Sequence, residues 1–372
     1  MRILITNERL DQRAGSDGFV RDLARGLQAL GHYVIVYGSD QHQRPRFLER
    51  DSIPVAADLE RLPFRPDIIH ARHHLDAMTA VSGLPGVPAI HHCIAPASSI
   101  VLPVHPRIHR YVAPSTDVAG RLAGEGIGEE RIDLVGNAVD LQRFARRREP
   151  ATPPRRVLVY DDELGADSPV VSAIRAAAAA RGLSLDHLGR RFGRVIDNPE
   201  LRLLDYDIVC ARGRKAIEAL ACGCAVMIIA HDRGERLVDR LDVARLRDTD
   251  FSVGADAPVA SADRLAAAFA GYAPESAAAA TAEVRSACDF PRLASELEAV
   301  YRSAIAMHQG HVADPAAEEK AAARYLEKLL PSIKRMEKAQ TMAGDVPLST
   351  ASMLLGASAS LAAIQADLDK PR

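Results

Sequence analysis

Short apolar runs recur along this chain, and each is followed by a longer amphipathic stretch. RILIT, YVIVY, DIIH, PAIHH, RYVAPS and IDLVGN occupy the first part; RVLVY, LSLDHL, YDIVCA and AVMII occupy the second. Runs of this length, rich in Val and Ile and alternating with helical periodicity, specify α/β units around parallel sheets. The stretch DGFVRDLARGLQALGH illustrates the helical partner: Val20, Leu23, Ala24, Leu27 and Leu30 share one face, and Gly31 stands at the C-terminal stop. With 372 residues the chain is long enough for two such cores and more.

The alternation breaks at ARRREPATPPRR, around residues 145 to 155, where proline and charge without periodicity predict a linker. The expected organisation is a Rossmann-like half over 1–148 and a second over 149–289. A helix over 290–308 is expected to close the second half, and a helical extension covers 309–372. Ligands in paired doubly wound folds bind at the carboxyl ends of strands, in the crevice between the halves. The extension contains a charged amphipathic helix that Pro331 is expected to interrupt. Beyond it Leu354, Leu361 and Leu368 lie seven apart, with Ala357 and Ile364 between them. That spacing suits packing on the same chain, or contact with a second copy or another partner through residues 349–368.

Composition excludes several classes. Lys+Arg of 47 against Asp+Glu of 49 gives no electrostatic footprint for duplex nucleic acid. Aromatics at 4% and no Trp leave few stacking platforms for single strands, so no nucleic-acid partner is expected. The opening MRILIT leads directly into polar sequence, and no signal peptide or membrane span is expected. Five irregularly spaced cysteines fit a reducing cytoplasm better than a disulfide framework. Cys222 and Cys224 form a CxC that reads chiefly as small buried residues on a tight turn.

The most informative stretch is ARGRKAIEALACGCAVMI, residues 211 to 228. Gly213 stands between a strand and a helix, whose N-terminus offers free N–H groups and partial positive charge to an anion. Arg212, Arg214 and Lys215 add full charges suited to a diphosphate. Glu218, one turn further on, is placed to accept hydrogen bonds from two neighbouring sugar hydroxyls. The plainer alternative is a carboxylate that complements the helix dipole, beside solvated cations. In the first half, Gly15 and Ser16, with Asp17, are expected in a loop after the first strand, where backbone can approach a ligand. His70, His73, His74, His91 and His92 cluster at strand ends and read as cleft-facing substrate contacts or as structural histidines. Metal ligation is a lesser alternative, because no carboxylate partners are evident in the spacing.

The run from Gly213 through Glu218 to ALACGCAVMI resembles the donor-site signature of family-4-type glycosyltransferases of the GT-B fold. Other stretches agree in order: RAGSDGFVRDLARGLQALGHYVIVY, DIIHARHH, AIHHC, and YVAPSTDVAGRLAGEGIGEERIDLVGNAVDLQRF. The similarity covers roughly residues 1 to 308. It implies two facing Rossmann-like domains, a nucleoside diphosphate sugar donor, a hydroxyl acceptor, no metal or other cofactor, and retention of anomeric configuration. It gives Glu218 the donor ribose, and gives His92, or its neighbour His91, a contact with the transferred sugar.

The chain also departs from the pattern. Cys210 stands where the family has its first glutamate, Ala138 replaces a glycine, and Asp161, Asp162 and Glu163 stand where a Gly-Arg strand end grips the diphosphate. Arg212, Arg214 and Lys215 are then expected to bind phosphate from the other side of the turn. These departures keep a second reading in play: a catalytically degenerate relative acting as a nucleotide-binding or scaffold subunit through its C-terminal helices. A sugar-nucleotide epimerase would need carboxylates lining the cleft, which the sequence does not locate.

Overall fold

Each apolar run becomes a strand of one of two sheets. The computed structural model describes residues 1–8, 15–39, 48, 51–93, 101–196, 198–254 and 257–343, with backbone alone at 15–17, 235 and 339–343. The first sheet holds β1 (Arg2–Thr6), β2 (Tyr33–Tyr37), β3 (Val55–Ala56), β4 (Ile68–Ala71), β5 (Ala89–His92), β6 (Ile108–Ala113) and β7 (Ile132–Leu134), in the order β3-β2-β1-β4-β5-β6-β7. All of its ladders are parallel. Parallel strands need cover on both faces, which is why they read as unbroken apolar runs. Ile3 and Ile5 face one core while Leu4 faces the other. Helices α1 (Gly15–Ala29), α2 (His74–Gly83) and α3 (Thr116–Gly124) supply the covering layers.

The second sheet holds β8 (Arg156–Tyr160), β9 (Ser184–Leu188), β10 (Ile208–Ala211), β11 (Ala225–Ile229) and β12 (Gly234–Leu237), in the order β12-β11-β10-β8-β9. Only β12 runs antiparallel to its neighbour. Its helices are α4 (Pro169–Ala180), α5 (Pro199–Arg202), α6 (Gly213–Ala221), α7 (Asp242–Asp248), α8 (Ala262–Ala270) and α9 (Pro274–Ala287). Chain order reverses between β1 and β4 in one sheet and between β8 and β10 in the other. The crevices at those reversals are the ligand positions of doubly wound sheets.

The crossing between halves lies elsewhere than the Arg- and Pro-rich stretch. Ala138 packs in the first domain's core and Val139 in the second's, and Phe144 is already fully buried there. The charged stretch instead lies on the second domain: the Arg148 N–H donates to Cys222 O, and its guanidinium reaches Asp207 at 2.6 Å. The helix expected to close the second half, α10 (Phe290–Gln309), returns to the first. Its apolar stripe of Phe290, Leu293, Leu297, Val300, Tyr301 and Ala304 completes the core formed by α1 and β1. The return crossing lies beside the outward one. Val139 N–H donates to Cys288 O at 3.0 Å, and Phe290 N–H donates to Val139 O at 3.1 Å.

Pro331 does not interrupt the last helix, α11 (Pro315–Ala343), which runs through it. Proline there removes the bond to the carbonyl of Glu327, a residue on the exposed side of the helix. This helix lies on the first domain, with Glu318 paired to the buried Arg107 at 2.9 Å and the Tyr325 hydroxyl bonded to His74 at 2.8 Å. The apolar heptad over 349–368 lies outside the described residues.

Candidate functional site

The second domain's crevice is built by a register. Ala211 of β10 pairs with Tyr160 of β8, so the residues that follow, Arg212 and Asp161, leave the sheet side by side. Gly213 then turns the chain at φ +55 and donates its N–H to Phe251 O. That backbone suits glycine, and α6 begins there. Ala216, Ile217, Ala219 and Leu220 bury the helix against the sheet. Glu218 comes with them, only 7% exposed.

A carboxylate so buried needs partners, and among the described residues it has two. The Tyr160 hydroxyl donates to Glu218 Oε2 at 3.0 Å, and Arg214 Nε donates to Oε1 at 3.1 Å. Burial, then the Glu218 charge, holds the Tyr160 phenol well above its ordinary pKa, so it stays a donor. Arg214 reaches on across the seam between domains to Asp22 of α1, and its guanidinium stands 5.9 Å from the Phe19 ring.

The other two cations of the turn are also paired with carboxylates. Arg212 holds Asp161 at 2.9 Å and Glu163 at 2.6 Å; Lys215 holds Asp162 at 2.8 Å and lies 4.2 Å over the Tyr160 ring. The acids after β8 point toward the turn because the β8–β10 ladder sets them opposite it. Asp161 is fixed further by accepting from the N–H groups of Glu163 and Leu164. Cys210, which stands where the resemblance puts the family's first glutamate, does not reach the turn. It lies inside β10, fully buried among Val157, Val159 and Met227, and burial pushes its thiol up to about 12.

At the first sheet's reversal, the Thr6 hydroxyl donates to Arg72 O at 2.7 Å and accepts from Arg72 N–H at 2.8 Å, tying β1 to β4. The Arg72 guanidinium lies 4.3 Å over Phe19. His92 packs edge-on to the same ring at 5.2 Å. Phe19 therefore lies between the strand-end histidine and Arg214. His92 is nearly buried, its Nδ1 3.3 Å from His70 Nε2, and His70 in turn meets the Tyr301 hydroxyl at 2.6 Å. Burial, reinforced by Arg72 and His91, holds His92 well below the usual histidine range.

Strand alternation puts His91 on the opposite face, beside Tyr111, with its Nδ1 buried and without a hydrogen-bond partner among the described residues. Burial, then His74 and Arg72, push it down to about 3. The two neighbours therefore do not share a site, and His92 is the one beside Phe19. Nor do all the histidines face the crevice: His70 is fully buried, and His74 is bonded to α11. Gly15 and Ser16 lie in the first turn of α1 rather than in a loop. Residues 9–14 and the Ser16 side chain lie outside the described residues.

Sequence reasoning assigned no site role to Asp22, Phe19, Tyr160, Arg72 or Tyr301. Phe19 and Asp22 sat within the quoted RAGSDGFVRDLARGLQALGHYVIVY run and Arg72 within DIIHARHH, but nothing local in the sequence singled any of the five out. It also missed Asp250, whose carboxylate accepts from Asn137 of the first domain at 2.8 Å and lies beside the Gly213 turn. Burial pushes this acid up to about 7, with the Asn137 bond opposing it.

Residues 14–143 match the model of Glycosyltransferase Family 4. No curated protein matches the chain by sequence. HepE of Anabaena, solved in complex with UDP, is similar in structure with a TM-score of 0.56 at 14% identity, covering 82% of this chain and 100% of that one. AviGT4, a glycosyltransferase involved in avilamycin A biosynthesis, gives 0.52 at 16% identity over 82% and 98%. The lipopolysaccharide outer core galactosyltransferase WaaB, in its apo form, gives 0.51 at 11% identity over 82% and 99%. At these identities the likeness is one of fold.

Proposed function

This chain has the family-4-type GT-B fold, and from that premise we propose that it transfers a sugar from a nucleoside diphosphate sugar to a hydroxyl acceptor. The observation that carries the proposal is Glu218, a nearly buried carboxylate at the β8–β10 reversal whose two oxygens have acceptor capacity beyond Tyr160 and Arg214. It reads the donor ribose. Arg212, Lys215 and the start of α6 stabilise the leaving diphosphate once Asp161, Asp162 and Glu163 yield to it, which needs no metal. His92 meets the transferred sugar, and the first domain holds the acceptor. HepE was solved with UDP and with UDP-glucose, which favours uracil as the base. Retention of configuration is part of the proposal. So is a cytoplasmic location, supported by cysteines that are all free and buried.

One arrangement favours a second reading, a degenerate protein that binds nucleotide weakly or not at all. All three cations of the turn already have carboxylate partners, and Cys210 is in the core. Calorimetric titration with UDP, GDP and ADP, repeated on Glu218→Gln, separates the two. One nucleotide binding tightly to the native protein and at least tenfold more weakly to the variant supports the transferase. No binding to any of the three overturns it in favour of the degenerate reading.

A further inference from the structure

We propose that Tyr301 and His70 are positioning residues that fix His92 in its Nε2–H form, so that it meets the cleft as a hydrogen-bond donor and not as a base. The consequence for catalysis rests on the transferase reading; the tautomer itself does not.

The argument begins at Tyr301. It lies on α10, fully buried, and among the described residues its hydroxyl has one hydrogen-bond partner, His70 Nδ1 at 2.6 Å. A phenol is both donor and acceptor, so two directions are conceivable. If His70 Nδ1–H donated to the phenol oxygen, the phenol hydrogen would be left buried without an acceptor. Such an orphan carries the full desolvation penalty of a buried hydroxyl. The phenol therefore donates, and His70 Nδ1 accepts.

A neutral imidazole that accepts at Nδ1 carries its proton on Nε2. His70 is neutral: it is wholly buried, and beside burial both His92 and Arg72 hold it well below the usual range. Its Nε2–H then points to His92 Nδ1 at 3.3 Å. His92 repeats the logic and carries its own proton on Nε2. Arg72 and burial oppose a second proton, so His92 offers a neutral N–H beside Phe19. Such a group donates to a sugar oxygen and has no free lone pair with which to take a proton from an acceptor hydroxyl.

The device also couples distant parts of the chain. Tyr301 reaches the first domain only because α10 returns there, so a helix after the second domain sets the protonation pattern of a strand end in the first.

The test is long-range proton–nitrogen correlation NMR on full-length protein labelled with ¹⁵N-histidine at pH 7, with His92→Gln and His70→Gln spectra for assignment. The expected native pattern has Nε2 protonated and Nδ1 bare on both rings. Tyr301→Phe, which removes only the hydroxyl, should turn His92 into a mixture of tautomers. A native His92 protonated on Nδ1 overturns the proposal, as does a Tyr301→Phe spectrum unchanged from native. If Tyr301→Phe does not fold, the native spectrum alone decides. Failure of nucleotide binding would sink the transferase reading and leave this pattern standing.

Discussion

Arg214 of α6 and Asp22 of α1 form an ion pair buried in the seam between the two domains. Asp22 is almost inaccessible, and burial raises its carboxyl pKa despite the attraction of Arg214. The same guanidinium holds Glu218. One side chain thus joins the covering helix of one half to the site carboxylate of the other. Breaking a buried pair from one side leaves an uncompensated charge, which is worse than never having the pair.

Asp22→Ala should therefore lower unfolding stability by about 3–5 kcal/mol, measured by urea denaturation. The double variant Asp22→Ala/Arg214→Met should lose clearly less than the sum of the single losses. Additivity to within about 0.5 kcal/mol would show that the two residues do not interact.

The acids after β8 compete with phosphate for the cations. Asp162→Asn frees Lys215, and its expected effect is an increase of about threefold in affinity for a nucleoside diphosphate, smaller at high salt. Unchanged affinity in calorimetry would place the phosphates away from Lys215.

Asp250 gives the fold a pH signature. Its folded pKa, about 7, lies above the ordinary carboxylate value of 3.8. The folded state then binds the extra proton between those values, so this contribution to stability is complete below about pH 4 and is lost as pH rises through 7. In Asp250→Asn that decline should vanish, and the variant should gain on the native protein from pH 5 to pH 8. Parallel stability profiles for the two proteins would refute it.

Restoring a glutamate at position 210 should not restore a donor contact. Cys210→Glu places a carboxylate inside β10 among aliphatic side chains, and a loss of several kcal/mol is expected with no gain in nucleotide affinity. A thiol pushed up to about 12 should likewise resist alkylation in the native protein. Tighter nucleotide binding by a folded Cys210→Glu would mean that the side chain reaches the crevice.

Gly189 closes β9 against the end of β8. A Cβ there would sit 1.6 Å from the Asp161 carbonyl oxygen, at φ +147. Gly189→Ala must displace the strand end that carries Asp161, and a loss of at least about 3 kcal/mol is expected in a melting experiment. A variant as stable as the native protein would contradict that packing.

The strands were legible because a parallel ladder demands apolar residues on both faces, so RILIT or AVMII has little else to be. Glu218 was legible because a carboxylate amid Ala and Leu on a short helix is conspicuous. The pairings were not legible. Arg212 meets Asp161 through the β8–β10 register, and register depends on which strands become neighbours, which sequence order does not state. Asp22 reads as the polar face of an amphipathic helix, and only the approach of the second domain turns that face into a buried one. The domain crossing was misread because proline and arginine mark irregular backbone without saying what lies beneath it. The true crossing, Ala138 to Val139, has small apolar side chains and no such mark. The stripe of α10 was evident, but an apolar stripe does not name the half it will cover.

Among the described residues the chain passes between the halves twice, and the passages at Val139 and Asp289 are bonded to each other. Such a pair behaves as a barrel hinge with two knuckles on one pin. Swinging about the line between them leaves both hydrogen bonds intact, whereas sliding or spreading the halves would tear them. The two halves are therefore tied along this one edge of the seam, as pages are held at a spine.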